Sequence, residues 1–270
     1  MIDILLHRWL KVPYALYADT RSTKEKHPKV TVLFIHGIGN SGKAWSSVID
    51  SLPKDIRVVT VDLLGFGQSP RPEWAIYSAK TQARSVIATL FKLHLTGRVI
   101  IVGHSLGALV AVEVAKRYPL LVSSLILCSP PFYKEDQSNP RLMPSSDRIL
   151  INLFKLAGKR PDEFMRVAAL VTRMGLVNAT FSLTPENAPI YMNALEASII
   201  NQTSLRDAIR LRIPISVICG LLDPVVIIKN LRYLTKQNKH ANLTAIVAGH
   251  EVRGRLYIST VAQAIRDAAR

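Results

Sequence analysis

The stretch RVIIVGHSLGALVAVEVAKRYP, residues 98–119, decides the fold. Its first part, residues 98–102, is an apolar run rich in Val and Ile, which predicts a buried strand. Its last part is short, apolar and closed by Pro119, which predicts a helix. Between the two lies GHSLG, residues 103–107, a G-x-S-x-G sequence at a strand-to-helix turn. Such a turn places a serine at the end of a strand, so Ser105 is the candidate nucleophile.

A base and an acid for this serine lie further along the chain. A serine hydroxyl is a weak nucleophile and needs a base that a third group orients. His250 follows the apolar run 244–248, in a loop that leaves the last predicted strand, and we predict that it is the base. Asp223 ends the run 215–222, at the sheet edge where parallel sheets bind ligands, and we predict that it orients the base. A capping role of Asp223 in the next segment is compatible with this.

Other histidines and carboxylates fit these roles less well. His104 adjoins the serine, but neighbouring side chains at such a turn diverge, so it is a poor base. His36 ends a strand beside a glycine and is expected to shape a loop. Asp62 precedes a tight turn, which favours a structural hydrogen-bonding role. Glu135 and Asp136 follow another predicted strand and are the reserve candidates for the acid.

A glycine-rich loop, HGIGNSG at residues 36–42, follows the first central strand. Glycine lets the backbone approach a substrate closely. We therefore expect the backbone N–H groups of Ile38 and Leu106 to form the oxyanion hole. The loop is not a P-loop, because Lys43 is followed by alanine where that motif has Ser or Thr. No zinc-finger spacing is present, and the sequence predicts no metal and no cofactor.

Strand and helix patterns alternate along the first part of the chain and return at its end. Near-continuous apolar runs of strand length are typical of a parallel sheet that is covered on both faces. The predicted strands are residues 29–35, 56–61, 98–102, 124–128, 214–222 and 243–248. The predicted helices are residues 78–95, 106–118 and 256–270. The pattern predicts an α/β fold with a mostly parallel central sheet and helices on both faces.

The segment 132–206 lacks strand signals and carries helix punctuation instead. Three predicted helices open at Ser146, Pro161 and Pro189. We therefore expect a helical cap or lid, residues 132–206, inserted into a core formed by residues 1–131 and 207–270. Methionines and phenylalanines are frequent in this segment, either as filler between helices or as a flexible inner face for an apolar ligand. The candidate substrate pocket consists of Gly37, Phe132, Met143, Phe154, Met165 and Met174.

The composition is that of a globular protein with a full core. The chain has 270 residues, of which 49% are hydrophobic and 20% charged. No apolar run reaches the roughly 18 residues that a membrane span needs. Residues 1–10 include Asp3 and no basic cluster, so no secretory signal is expected. Cys128 and Cys219 lie in apolar runs and are expected to be free thiols in a reducing cytoplasm.

The chain is strongly basic, with a formal net charge of +16. The excess is spread along the chain without a basic tail, and no nucleic-acid-binding motif is present. We therefore expect a diffuse basic surface and no nucleic-acid partner. Docking on an anionic membrane to reach lipid esters is an alternative that the charge leaves open. The sequence leaves the oligomeric state open as well.

In their order along the chain, these motifs resemble those of the α/β-hydrolase fold family, in its lidded single-domain branch. The resemblance rests on the loop at 36–42 with Trp45, the stretch DLLGFGQSP at 62–70, and Ser105, Asp223 and His250. It implies a serine hydrolase with a Ser-His-Asp triad and a helical lid.

The family includes esterases, lipases, C–C hydrolases, perhydrolases, epoxide hydrolases and dehalogenases. The last two use an aspartate nucleophile, which Ser105 argues against. C–C hydrolases usually resemble G-N-S-x-G-G, and here His104 and Ala108 occupy the Asn and second Gly positions. The resemblance therefore implies a carboxylesterase that acts on a small or medium hydrophobic ester. A C–C or thioester hydrolase with the same triad, and a non-catalytic ligand receptor, are the alternatives.

Overall fold

The computed structural model describes residues 2–21, 30–95, 97–133, 184 and 186–270. Within this part of the chain seven strands form one sheet. They are β1 (Ala18–Arg21), β2 (Thr31–Ile35), β3 (Arg57–Val61), β4 (Val99–His104), β5 (Val122–Cys128), β6 (Ile215–Gly220) and β7 (Ala241–Ile246). The strand order is β1-β3-β2-β4-β5-β6-β7. Among these strands β1 pairs antiparallel with β3, and every other pair is parallel.

The helices lie between and after these strands. They are α1 (Ser46–Asp50), α2 (Ala79–Lys92), α3 (Leu106–Arg117), α4 (Ala188–Ala194), α5 (Ser204–Arg210), α6 (Ile228–Gln237) and α7 (Arg255–Ala268). Shorter turns are π-helical at Ile4–Trp9 and Leu195–Ile200 and 3-10 at Gly42–Trp45. None of the described helices combines the length and the apolar character that crossing a bilayer requires.

The central strands of the sheet are buried on both faces, which explains their continuous apolar runs. In β2, Leu33 and Ile35 pack into the core on one face, and Val32 and Phe34 pack into the core on the other. Side chains of α2, α3, α5 and α6 cover the first face, and those of α1 and α7 cover the second. Full burial of an apolar side chain of this size stabilises a fold by about 1.5–3 kcal/mol. The predicted α/β architecture is confirmed.

The central strands lie where the sequence predicts them, with small displacements at their ends. β1 was not predicted, because Ala-Asp-Thr-Arg at residues 18–21 has no apolar pattern. It is an edge strand with two exposed side chains, held by its pairing with β3. The two cysteines are buried free thiols. Burial raises the pKa of the Cys128 thiol well above its usual value and that of Cys219 to about 11.

The inserted segment is described only in its last part. The helix predicted to open at Pro189 is α4, which continues into the π-helical turn Leu195–Ile200. The helices predicted to open at Ser146 and Pro161 lie outside the described residues. So do the reserve acids and four of the pocket candidates: Glu135, Asp136, Met143, Phe154, Met165 and Met174. The boundaries of the insertion, residues 132 and 206, stay a prediction.

The parallel strand order brings distant parts of the sequence to one edge of the sheet. Residues that follow parallel strands meet at the carboxyl ends of those strands. The glycine-rich loop follows β2, Ser105 follows β4, Asp223 comes after β6, and His250 comes after β7. The candidate site lies at this edge.

Candidate active site

Ser105 occupies the sharp turn between β4 and α3. Its backbone has φ 51° and ψ −117°, a conformation that costs a residue other than glycine about 1–3 kcal/mol. The Ser105 N–H donates to the Cys128 carbonyl oxygen at 3.0 Å, and the Ala108 N–H donates to the Ser105 carbonyl oxygen at 3.0 Å. These bonds hold the strained turn from both sides. Strain of this kind clusters at functional sites, where the surrounding structure over-determines the backbone.

The two glycines of the motif let strand and helix pass at close distance. A Cβ on Gly103 would lie 2.4 Å from the carbonyl oxygen of Gly107. A Cβ on Gly107 would lie 2.3 Å from the carbonyl oxygen of Ile35. Both oxygens belong to the backbone of packed elements and cannot rotate away. The G-x-S-x-G spacing is therefore a steric requirement of this turn.

Replacing Gly107 by alanine is expected to destabilise the protein by about 1–3 kcal/mol, because the added methyl group meets the backbone of β2. The free energy of unfolding, obtained from a urea titration, measures the effect. Gly249→Ala is the matched control, because a Cβ at Gly249 meets no atom within 4 Å. Equal stabilities of the two variants would contradict the close approach of α3 to β2.

Asp223 and His250 are joined by a hydrogen bond of 2.8 Å between Asp223 Oδ2 and His250 Nδ1. The Asp223 side chain is fully buried, whereas the imidazole is 19% exposed. Because an ionised carboxylate only accepts hydrogen bonds, Nδ1 carries the ring proton, and Nε2 of the neutral ring is left as an acceptor. Asp223 Oδ1 accepts from the backbone N–H groups of Val225 at 2.8 Å and Val226 at 3.3 Å. Asp223 therefore both orients the ring and holds the turn that follows it.

The charges around this pair favour an ionised Asp223 and a basic His250. Burial lowers the pKa of His250, but the hydrogen bond to Asp223 and the charges of Asp223 and Glu251 outweigh it, so this pKa is raised. Burial raises the pKa of Asp223, but His250, the Val225 N–H and the Ser129 hydroxyl outweigh it, so this pKa is lowered. The arrangement suits an imidazole that takes up a proton while a carboxylate stabilises the resulting charge.

His104 anchors the backbone of His250 beside the serine turn. Its Nε2 lies 3.0 Å from the carbonyl oxygen of His250, and the two rings have centroids 5.0 Å apart. A carbonyl oxygen only accepts, so His104 Nε2 carries the proton. Burial lowers the pKa of His104, which keeps this ring neutral near pH 7. The sequence predicted that His104 is a poor base, but it did not predict this anchoring role.

The residue before Ser105, His104, contacts His250 both through its ring and through a hydrogen bond. Within the described residues no hydrogen bond joins the Ser105 hydroxyl to the His250 imidazole. Hydrogen bonds between catalytic groups are often long or poorly aligned before substrate binds, and they tighten in the complex.

His36 and Asp62 hold the glycine-rich loop. His36 Nδ1 lies 2.6 Å from the Gly37 carbonyl oxygen, and its Nε2 accepts from the Leu63 N–H at 2.8 Å. Burial lowers the pKa of His36 to about 4 against the opposing effects of that carbonyl and of Asp62, so the ring is neutral. Asp62 accepts from the Gly42 N–H at 2.7 Å and from a backbone N–H of the following turn at 2.8 Å. Both side chains have the structural roles that the sequence predicts.

The glycine-rich loop lies against the serine turn. A Cβ on Gly37 would lie 2.9 Å from His104 Nδ1 and 3.3 Å from Ser105 Cβ. Leu106 is the first residue of α3, and the first N–H groups of a helix have no partner within it. In the described part of the chain no hydrogen bond engages the N–H of Ile38 or of Leu106. Both candidate oxyanion donors are therefore free to bind a substrate.

Three residues near the site were missed by sequence reasoning: Ser129, Glu251 and Tyr257. Ser129 follows β5 at the same sheet edge, has φ 46°, and its Oγ lies 3.0 Å from the hydroxyl of Tyr257. Its place directly after a predicted strand is the one signal that could have found it.

Phe132 is buried in the core, and its carbonyl oxygen accepts from Asn230 Nδ2 at 2.7 Å. Its contribution to a substrate pocket stays a prediction.

A comparison with protein families places most of the chain in one fold. The family model of the alpha/beta hydrolase fold matches residues 30–252. This range contains the glycine-rich loop, the serine turn at Ser105, the acid Asp223 and the histidine His250.

Individual relatives differ in what their names say they act on. The chain is 32% identical over 118 residues to a protein of Arabidopsis thaliana named "Probable lysophospholipase BODYGUARD 4". That match covers 43% of this chain and 28% of the relative, so it spans little more than a quarter of the relative's length. An enol-lactonase of Burkholderia xenovorans LB400 has a similar structure, with a TM-score of 0.73, 19% identity, and coverage of 94% of this chain and 95% of that one.

A meta-cleavage product hydrolase of Pseudomonas fluorescens IP01 is also similar in structure. Its TM-score is 0.62 at 22% identity, with coverage of 96% of this chain and 99% of that one. At such identities the likeness extends to the fold. The three names refer to different substrates, so the fold does not select a substrate.

Proposed function

Because the chain belongs to the α/β-hydrolase fold family, we propose that it is a serine hydrolase that cleaves carboxylic esters with Ser105, His250 and Asp223. The observation that carries this proposal is the hydrogen bond of 2.8 Å between buried Asp223 and His250 at the edge where Ser105 sits in a strained turn. A buried carboxylate that fixes an imidazole tautomer beside a serine is the arrangement that activates a hydroxyl.

In the first half of the reaction, His250 Nε2 takes the proton from Ser105 Oγ while Oγ forms a bond to the ester carbonyl carbon. The carbonyl π electrons move to its oxygen, and the N–H groups of Ile38 and Leu106 stabilise this oxyanion. Collapse of the intermediate breaks the bond to the alkoxy group, which receives the proton from His250 and leaves as an alcohol. Asp223 stabilises the imidazolium throughout and stays ionised. An acyl group on Ser105 remains.

In the second half, water replaces the alcohol. His250 takes a proton from the water, whose oxygen attacks the acyl carbon, and the same two N–H groups stabilise the second oxyanion. The bond to Ser105 Oγ then breaks, and Oγ recovers the proton from His250. The carboxylic acid leaves, and the starting state is restored. Each oxyanion donor contributes about 3–4 kcal/mol to transition-state stabilisation in enzymes of this kind.

The substrate that we propose is a small or medium hydrophobic ester. Ester hydrolysis agrees with the name of the Arabidopsis relative, although the match spans about a quarter of that protein. A C–C bond or thioester hydrolase would use the same three side chains, and His104 and Ala108 are the residues that make the C–C alternative less favourable. A ligand receptor would retain the fold and lose turnover.

The proposal is tested by covalent labelling and by turnover. A fluorophosphonate probe is expected to add its mass once, at Ser105, as read by intact mass and peptide mapping. A panel of p-nitrophenyl esters of increasing acyl length, acyl thioesters and a vinylogous diketone then measures which bond is cleaved. No labelling under conditions that label a known serine esterase contradicts the proposal. Turnover of the diketone or the thioesters without turnover of esters replaces it by one of the alternatives, and slow acylation with tight retention of a small ligand supports a receptor.

A further inference from the structure

The segment of residues 2–12 turns its apolar side chains to solvent. None of the residues in its π-helical turn, Ile4–Trp9, is buried. Seven large apolar side chains of the segment are exposed: Ile2, Ile4, Leu5, Leu6, Trp9, Leu10 and Val12. Trp9 is 72% exposed and Leu10 is 62% exposed. An exposed apolar patch of this kind on a globular protein marks an interaction surface.

Polar contacts hold this segment to the body of the protein. The His7 ring stacks on Tyr14 with centroids 3.6 Å apart, and His7 Nδ1 lies 2.7 Å from the Val12 carbonyl oxygen. The Tyr14 hydroxyl donates to Asp3 Oδ2 at 2.7 Å, and Tyr14 itself is buried. Polar side chains therefore fix the segment, and most of its apolar side chains point outward. This arrangement is the reverse of a helix that packs on a core.

A basic cavity of about 280 Å³ adjoins the apolar side chains. Its lining includes Arg8, Lys11 and Arg84 and contains no acidic residue. Arg84 Nη2 donates to the Lys11 carbonyl oxygen at 2.7 Å, which ties the segment to α2. The acid of the segment, Asp3, is engaged by Tyr14 and lies 3.8 Å from His7. Within the described residues neither Arg8 nor Lys11 forms an ion pair, so both charges are available to an anionic partner.

We propose that the exposed apolar side chains of residues 2–12 and this basic cavity form a docking surface for an anionic phospholipid bilayer. The apolar side chains enter the interface between headgroups and acyl chains, where Trp is favoured. Arg8, Lys11 and Arg84 meet the phosphates, and the net charge of +16 adds long-range attraction. This surface does not suit a nucleic acid, because nucleic acids are bound by charge and stacking and do not require a patch of exposed aliphatic side chains.

The position of this docking surface connects it to the carboxyl edge of the sheet. Trp74 and Ile76 line the cavity and belong to the loop that leaves the carboxyl end of β3. The next residue of that loop, Tyr77, donates its N–H to Asn193 Oδ1 at 2.9 Å, and its carbonyl oxygen accepts from the Ser198 hydroxyl at 2.8 Å. The bilayer would thus lie beside the loop that follows β3 and near the helical segment to which Tyr77 is bound. The docking does not depend on catalysis.

Vesicle co-sedimentation of the full chain tests the proposal. We expect binding to phosphatidylcholine vesicles that contain phosphatidylglycerol, weak binding to phosphatidylcholine alone, and a loss of binding at high salt. Arg8→Gln with Lys11→Gln is expected to weaken binding about thirty-fold. The matched control is Lys54→Gln with Lys239→Gln, two exposed cations outside the docking surface, whose loss should have a much smaller effect.

The apolar part of the docking surface has its own pair of variants. Trp9→Ser with Leu10→Ser is expected to weaken binding about a hundred-fold. Phe91→Ser with Leu120→Ser is the matched control, because these side chains are 68% and 89% exposed but do not belong to the docking surface. Quenching of tryptophan fluorescence by brominated lipid is expected in the original protein and should decrease in Trp9→Phe, which retains binding. The quenching that remains is assigned to Trp74, which lines the cavity.

Three results would overturn the docking surface. The first is an equal effect of the docking variants and their controls on vesicle binding. The second is vesicle binding that neither salt nor lipid charge changes. The third is an oligomer in solution that the Trp9→Ser, Leu10→Ser protein cannot form, because it would assign the patch to a second copy of the chain. Ser105→Ala is expected to bind vesicles like the original protein. Failure of the catalytic proposal and failure of this one are therefore distinguishable.

Discussion

Replacing Ser105 by alanine is expected to lower kcat for ester hydrolysis by about 10⁶-fold. Alanine has no oxygen to form the acyl intermediate, so the residual rate comes from the oxyanion donors and substrate binding alone. The measurement is kcat on the best ester of the panel, together with intact mass after exposure to the fluorophosphonate. The variant should show no mass increment.

Ser124→Ala is the matched control for this experiment. Ser124 lies on β5 and is buried like Ser105. Its hydroxyl has no hydrogen-bond partner within the described structure, so the protein loses little when it is removed. Hydrolysis and labelling should both be unchanged. If Ser105→Ala retained the hydrolysis rate of the original protein, another residue would be the nucleophile and the catalytic proposal would be wrong.

Replacing Asp223 by asparagine is expected to lower kcat by about 10⁴-fold. The amide NH₂ group can donate to His250 Nδ1, which favours the tautomer with the proton on Nε2 and removes the base. The charge that stabilises the imidazolium is lost as well. Both effects act on the chemical step, so the loss should appear in kcat. Steady-state kinetics on the same ester measures it.

The pH profile gives this variant a second readout. In the original protein the pKa of His250 is raised, and the base works only when neutral. Activity is therefore lost as pH falls through a value above 6.5, the usual pKa of histidine. In Asp223→Asn the main raising influence is gone and burial still lowers the pKa of His250. The acid limb of kcat/KM should therefore move to lower pH.

Asp207→Asn is the control for the loss of a buried carboxylate. Asp207 lies on α5, and its Oδ2 is 2.8 Å from Lys116 Nζ. Its replacement should lower the free energy of unfolding and leave kcat and the pH profile of the folded protein unchanged. A shift of the pH limb in Asp207→Asn, or its absence in Asp223→Asn, would contradict the direct action of Asp223 on His250.

The sequence could predict which candidate residues lie at the carboxyl ends of strands. Ser105, Asp223 and His250 each follow an apolar run that becomes a parallel strand, and parallel strands bring their carboxyl ends to one edge. The local sequence pattern and this one topological rule were therefore enough to place the three residues at the same edge of the sheet. The glycines of the serine turn, Gly103 and Gly107, could be interpreted in the same way because their steric role is local.

Contacts between elements could not be predicted in this way. Glu251 raises the pKa of His250, and His104 binds the His250 carbonyl oxygen, but neither follows from a periodic pattern. β1 was missed because this edge strand is held by its backbone pairing with β3 and has no apolar pattern that the sequence could show. Trp9 is exposed while His7 of the same turn stacks on Tyr14, and only the folded chain shows this contact.

The direct pairing of β5 with β6 has a consequence for how such a protein can diversify. Cys128 pairs with Ile218, although the whole inserted segment separates them along the chain. The sheet is continuous at this point, because β5 and β6 pair directly, and Ser105, Asp223 and His250 each follow a strand of this sheet. Exchange of the segment between these strands would therefore leave the positions of Ser105, Asp223 and His250 at the sheet edge unchanged.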